Sequence, residues 1–180
     1  MPVAFTLFKD RDTKDVCVFR GDSEQRPTVS TGQFPEYKAV FVRRGIELRR
    51  FTASVDHEFL KGRFEGLTRR TATVSGGGMQ VAIKRSSLFS DGWQFVYMSD
   101  TLKWSVTQLG GEWLLSNSSG QVIARFQRRS SWAGRRGVLY VMGHDRNLEA
   151  LIVLSCEIVN RTVDSSEQAA ATTVTAGDGD

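Results

Sequence analysis

The chain has little of what builds metal centres, disulfide frameworks or nucleophile–base pairs. Its 180 residues include two cysteines, two histidines and three prolines. Cys17, Cys156, His57 and His144 are far apart in sequence, so no zinc spacing can be assembled, and no metal or other cofactor is expected. Cys156 lies within an apolar run and reads as a free buried thiol rather than half of a disulfide. There is no Gly-x-Ser-x-Gly elbow to activate a serine such as Ser54 or Ser99. Gly76-Gly77-Gly78 lacks the following Lys-Ser or Lys-Thr of a phosphate loop, and reads as a turn. His57 and His144 each sit beside carboxylates and read as solvated turn residues. The expectation is a protein that is not an enzyme.

Long apolar runs are also missing. The densest, LEALIVLSCEIV (Leu148 to Val159), would cover only about 18 Å as a helix, whereas a membrane span needs about 20 apolar residues. The opening MPVAFTLFKDRD reaches charge too soon for a secretory signal. These features predict an intracellular, cytoplasmic chain, soluble or peripheral at a membrane, with no transmembrane segment.

What is present is strand chemistry. Ala4–Phe8, Val16–Phe19, Lys38–Val42, Ile46–Phe51, His57–Leu67, Thr71–Val74 and Met79–Ile83 are short β-forming segments broken by glycine and polar turns. From Gly92 the alternation sharpens: Trp93, Phe95 and Tyr97, then Trp104 and Val106, Trp113 to Leu115, Val122 to Phe126 and Val138 to Met142. Roughly ten strands at such spacing predict an antiparallel barrel or sandwich. Trp93, Trp104 and Trp113 are expected in its core.

Leu148–Val159 breaks that pattern. Asp145 and Asn147 are good N-cap types, and Glu149 suits the first turn. On a helical wheel Glu149, Val153, Glu157 and Asn160 share one narrow edge, and most of the remaining circumference is apolar. Such a helix must be buried nearly all round. A sheet that encloses it must curve and nearly close, which also removes sheet edges. The expected organisation is one domain over residues 1–162, with a central helix near 147–161, followed by a disordered acidic tail over 163–180.

The formal net charge is +4. The tail holds Asp164, Glu167, Asp178 and Asp180 and no base, so removing those four acids takes the charge of the remainder from +4 to +8. A basic body favours anionic partners. Arg128, Arg129, Arg135 and Arg136 flank Trp132 in a loop-like stretch, an arrangement suited to a membrane interface, where the ring inserts and the cations meet anionic headgroups, to a nucleic-acid backbone, or to a solvated hairpin whose Trp132 folds back on the barrel. Lys84 and Arg85 are possible additions to this anion- or lipid-binding set. Further doublets, Arg43-Arg44, Arg49-Arg50 and Arg69-Arg70, read as strand termini. If such ends gather at one mouth of a barrel, they form an anion-binding rim. No RNA- or DNA-binding motif is present.

Taken together, GWQFVYMSDTLKWSV, EWLLSNSSGQVIARFQ, GVLYVMG and LEALIVLSCEIV resemble the tubby C-terminal-like fold, and within it the fungal family of unknown function assigned to that fold. The match rests on Trp93 and Phe95, Lys103-Trp104, Trp113 and Leu115, Gly120, Ile123 to Phe126, the strand ending near Met142 and the apolar final helix. It spans roughly Phe5 to Arg161 and carries no catalytic group. The resemblance implies a β-barrel around a central hydrophobic helix. Tubby proteins, which bind phosphoinositides, plant LURP-one-related proteins and phospholipid scramblases share that architecture. Two readings of function stay open: binding of an anionic membrane phospholipid through basic loops, and a structural or protein-interaction barrel with no ligand of its own.

Overall fold

A computed structural model describes residues 2–10, 12–24, 33–52, 55–66, 70–86, 92–106, 111–129, 134–143 and 145–175. Twelve strands precede one helix: β1 (Val3–Lys9), β2 (Val16–Arg20), β3 (Tyr37–Val42), β4 (Gly45–Thr52), β5 (Val55–Glu65) and β6 (Thr71–Gly76), then β7 (Met79–Arg85), β8 (Trp93–Tyr97), β9 (Asp100–Val106), β10 (Glu112–Ser116), β11 (Val122–Arg128), β12 (Arg135–Val141) and α1 (Arg146–Thr175). Each strand pairs antiparallel with its sequence neighbours, and β12 returns to β1, closing the barrel.

Period-two alternation turns one side of each strand inward. Phe5, Leu7, Leu48, Trp93, Phe95, Trp104, Trp113, Leu115, Phe126 and Leu139 line the lumen in one core cluster with the helix. The three tryptophans expected in the core are buried there. A smaller apolar cluster, Phe8, Cys17 and Phe19, lies apart from it. Both cysteines are buried, and neither is in a disulfide.

The lumen is filled by α1. Every residue from Glu149 to Asn160 is buried. Asp145 caps the helix: its Oδ1 accepts from the Asn147 and Leu148 amides at 2.8 and 3.2 Å, and its Oδ2 accepts from the Tyr97 hydroxyl at 2.8 Å. Inside, the Trp104 indole donates to Ser155 Oγ at 3.0 Å, and Ser155 donates in turn to the Ile152 carbonyl at 3.0 Å. Both polar groups are thereby satisfied within the apolar core. The helix runs to Thr175, past its expected end near 161, and so takes in most of the segment read as a disordered tail. The first of these added residues are held at the barrel, where Arg128 and Arg136 of the wall meet Asp164. Residues 176–180 lie outside the described residues, and among the described residues no helix is long and apolar enough to cross a membrane.

Ile152 is wholly enclosed. A lone charge there has no partner and cannot reach water. Ile152→Asp is therefore expected to abolish the cooperative thermal unfolding transition followed by circular dichroism, whereas a variant that kept the wild-type melting temperature would show that the helix is not the core.

Candidate functional site at the helix-exit mouth

Alternating strand direction sorts every turn to one of two ends. The helix enters beside the β6–β7, β8–β9 and β10–β11 turns and leaves beside the β3–β4, β5–β6, β7–β8 and β11–β12 connections. Arg43-Arg44, Arg70, Lys84-Arg85, Arg128-Arg129 and Arg135-Arg136 all belong to strand ends at this exit mouth. Arg49-Arg50, in the last part of β4, lies toward the other end. The doublets converge because the turns carrying them occur at every second connection, a signal that counting hairpins in the sequence could have given.

The convergence separates into two populations. One is neutralised. Arg128 Nη2 lies 3.1 Å from Asp164, and Arg136 reaches Asp164 with one nitrogen and Glu157 with the other, the latter at 3.1 Å. Arg135 Nη2 is 2.5 Å from Asp22, which also accepts from the Tyr140 hydroxyl at 2.9 Å. Arg161, on the helix, donates to the Gly45 carbonyl at 2.8 Å and lies over the rings of Phe41 and Phe64.

Arg136 is aimed by a β-bulge. Leu7 pairs with Gly137 but Phe8 pairs with Arg135, leaving Arg136 as the extra residue. A bulge re-aims a side chain, and this one carries Arg136 to Glu157 on the helix. Gly137 permits it, since a Cβ there would stand 2.6 Å from Phe126 Cζ. Glu157 is wholly buried, and Asn160 Nδ2 donates to its Oε1 at 3.1 Å. Burial pushes the Glu157 carboxyl above its usual range, and Arg136 opposes that shift. A related arrangement stands at the entrance mouth: Glu149, also buried, lies 3.1 Å from Arg20, which holds Glu36 as well at 2.6 Å, and accepts from the Tyr37 hydroxyl at 3.2 Å. Burial likewise raises the Glu149 carboxyl, again against its arginine. The sequence placed both glutamates on the polar edge of the helix but gave no sign of the arginines that meet them.

The second population is exposed. Arg43, Arg44, Arg63, Arg70, Lys84 and Arg129 face solvent and form no ion pair among the described residues. Three of them border a groove of about 610 Å³, lined by Val42, Arg43, Arg44, Gly45, Lys61, Gly62 and Arg63. Its floor is backbone, since a Cβ on Gly45 would run into the Gly62 carbonyl. Lys61 is tied to Glu47 and Glu58 at 3.1 and 3.3 Å.

Set against the sequence reading, Arg128, Arg135 and Arg136 are engaged by carboxylates, Arg129 and Lys84 are exposed, and Arg85 is half-buried. Trp132 lies outside the described residues, as does His144. Arg128 and the Arg135-Arg136 pair belong to strands, so the connecting segment is shorter than the loop-like stretch expected. Arg43, Arg44 and Arg63 are the cations that sequence reasoning did not rank. His57 is exposed on β5, not in a turn. Comparison with known protein families, with curated proteins and with solved structures finds no match to this chain.

Two outcomes follow for the buried pair. Arg136→Met alone leaves a buried carboxyl without its cation and should destabilise the barrel by about 3–5 kcal/mol in chemical denaturation, and adding Glu157→Gln should recover part of that loss. The pH dependence has a definite sign. Because the folded-state pKa of Glu157 lies above its usual 4.5, the folded state binds the proton more tightly than the unfolded chain, so its contribution is greatest below that value and is lost as pH rises through the folded pKa. Stability curves of wild type and Glu157→Gln should therefore diverge with rising pH, the wild type losing more. Parallel curves would contradict the assignment.

Proposed function

We propose that this chain is a non-enzymatic, cytoplasmic barrel module that binds an anionic membrane phospholipid at the mouth from which the helix emerges. The observation that carries the reading is the cluster of exposed cations at that mouth that pair with no described carboxylate; Glu65, an exposed acid on the same rim, is held by the Thr73 hydroxyl. Arg43, Arg44 and Arg63 border the groove, with Arg70, Lys84 and Arg129 on the same rim. Arginine suits phosphate because its planar fork presents paired donors. The likeness to the tubby C-terminal-like fold points the same way, although a shared fold does not by itself confer a ligand.

The second reading, a structural or protein-interaction barrel, has one observation in its favour. The helix occupies the lumen, and its residues are buried from Glu149 to Asn160, so the interior, where many barrels hold a ligand, is taken up by the chain's own side chains.

Co-sedimentation with phosphatidylcholine vesicles, alone and with phosphoinositide or phosphatidylserine, tests the proposal. Each basic residue near an anionic surface contributes about 1 kcal/mol. Arg43→Gln, Arg44→Gln and Arg63→Gln together should weaken binding about a hundredfold, and added salt should weaken the wild type. Absence of binding to every anionic vesicle at low salt would refute the lipid reading in favour of the second.

A further inference from the structure

The barrel wall is not equally knit all the way round. β6 and β7 pair along their whole length, from Thr71 with Lys84 to Gly76 with Met79, and β8 and β9 pair from Trp93 with Trp104 to Tyr97 with Asp100. Between β7 and β8 the pairing consists of Lys84 with Gln94 and Arg85 with Trp93, extended by the Ser86 amide donating to the Gly92 carbonyl at 2.8 Å. Toward the helix-entrance mouth the two strands part, and a groove of about 490 Å³ lies along the seam.

The banks of the seam carry backbone groups without a ladder partner. In a two-residue hairpin the residues flanking the turn form a hydrogen-bonded pair, and the bonds then alternate. With Gly77-Gly78 as the turn, Met79, Val81 and Ile83 direct their amides and carbonyls to β6, so Gln80 and Ala82 direct theirs into the seam. With Met98-Ser99 as the turn, Phe95 and Tyr97 bond to β9, and Val96 faces the seam. Gln80, Ala82 and Val96 are all exposed, and the described β7–β8 ladder stops at Lys84 and Gln94, short of all three.

Both banks are held by other parts of the fold. The far end of β8 is tied away from β7, through Tyr97 to the helix cap at Asp145 and through Asp100 to the Ser118 amide and hydroxyl at 3.1 and 2.6 Å. The β6–β7 tip packs onto β5, where Gly76 crosses the Phe59 carbonyl so closely that a Cβ would collide with it. The surface beside the seam is apolar: Val96 is 55% and Met98 79% exposed, and Met98 stands at φ 46°, an unusual backbone angle for a bulky side chain. At the closed end Lys84 and Lys103 flank Gln94 in register, and neither forms an ion pair among the described residues.

We propose that this seam is a docking site for an extended segment of a partner protein, which adds as a strand to the β7 edge. Donors and acceptors at Gln80 and Ala82, two residues apart, match the repeat of an extended chain, and strand addition takes its affinity from such main-chain bonds. The segment is β-branched or otherwise apolar where it covers Val96 and Met98, and it carries a carboxylate where it meets Lys84 and Lys103. The site is independent of the groove at the other mouth.

Amide exchange on the full chain tests this, with an acetylated Asp-Val-Thr-Val-Thr-Val-Thr-Val peptide as the probe. In the free protein the Gln80, Ala82 and Val96 amides should exchange at least about a hundredfold faster than those of Val81 and Ile83, which are bonded to β6. Saturating peptide should slow these three at least about tenfold. Replacing its aspartate by lysine should weaken binding about tenfold. Ala82→Pro removes a seam-facing amide that no ladder uses; it should keep the melting temperature and lose peptide binding, while Ala82→Val keeps both. Any of three results would overturn the proposal: equal protection of all five amides in the free protein, unchanged exchange at millimolar peptide, or protection that depends on protein concentration alone and so assigns the seam to a second copy of this chain.

Discussion

The lumen of a twelve-stranded sheet is too wide for the wall's own side chains to meet across it, and α1 is what fills it. This one requirement explains the composition of the helix. A helix enclosed on every side can carry polar groups only where the wall supplies partners. Ser155 has Trp104, Glu149 has Arg20 and Tyr37, and Glu157 has Arg136 and Asn160. The two glutamates lie on one edge of the helix, and their arginines come from β2 and β12, on either side of β1. An apolar plug can rotate or slide at modest cost. Two buried carboxyls that must each meet a cation admit one rotation and one depth. Such pairs add little net stability, because desolvation offsets the attraction, and the role left for them is to fix register.

That distinction separates what could be read in the sequence from what could not. Alternation of tryptophan and phenylalanine around Trp93, Trp104 and Trp113 announces inward-facing strands, and the nearly continuous apolar circumference of Leu148–Val159 announces a buried helix. Both are properties of single segments. The aim of Arg136 is not such a property. It depends on a bulge opposite Leu7 and Phe8 on a strand more than a hundred residues away, and on a glycine at 137 that leaves room for the Phe126 ring. Arg128, Arg135 and Arg136 look alike as a basic stretch around Trp132, yet each meets a carboxylate distant in sequence, Asp164, Asp22 or Glu157. Charge pairing across a barrel is a long-range fact, which is why composition alone placed these arginines on the surface.

Closure was expected to leave the sheet without edges, and it does so only in part. Closing a barrel obliges every hairpin to satisfy both of its neighbours at once. The β8–β9 hairpin is bound to the helix cap and to the β10–β11 turn, while β7 follows β6 and β5. The β7–β8 ladder is short, and it opens toward the end where these two sets of attachments lie. The helix cap thus holds one bank of the seam through Tyr97.

The direction of the helix also explains why the two mouths differ. Its buried stretch ends at the exit mouth, where Glu157 and Asp164 bring two acids against the wall. Arg128 and Arg136 answer that local demand. Arg43, Arg44, Arg63, Arg70, Lys84 and Arg129 do not, because no described carboxylate pairs with them. Like charges gathered on one rim repel one another and lower the stability of the compact state. The architecture therefore accounts for one group of arginines at this mouth and leaves the other without an internal role, and an external anion is the partner whose charge would relieve that repulsion.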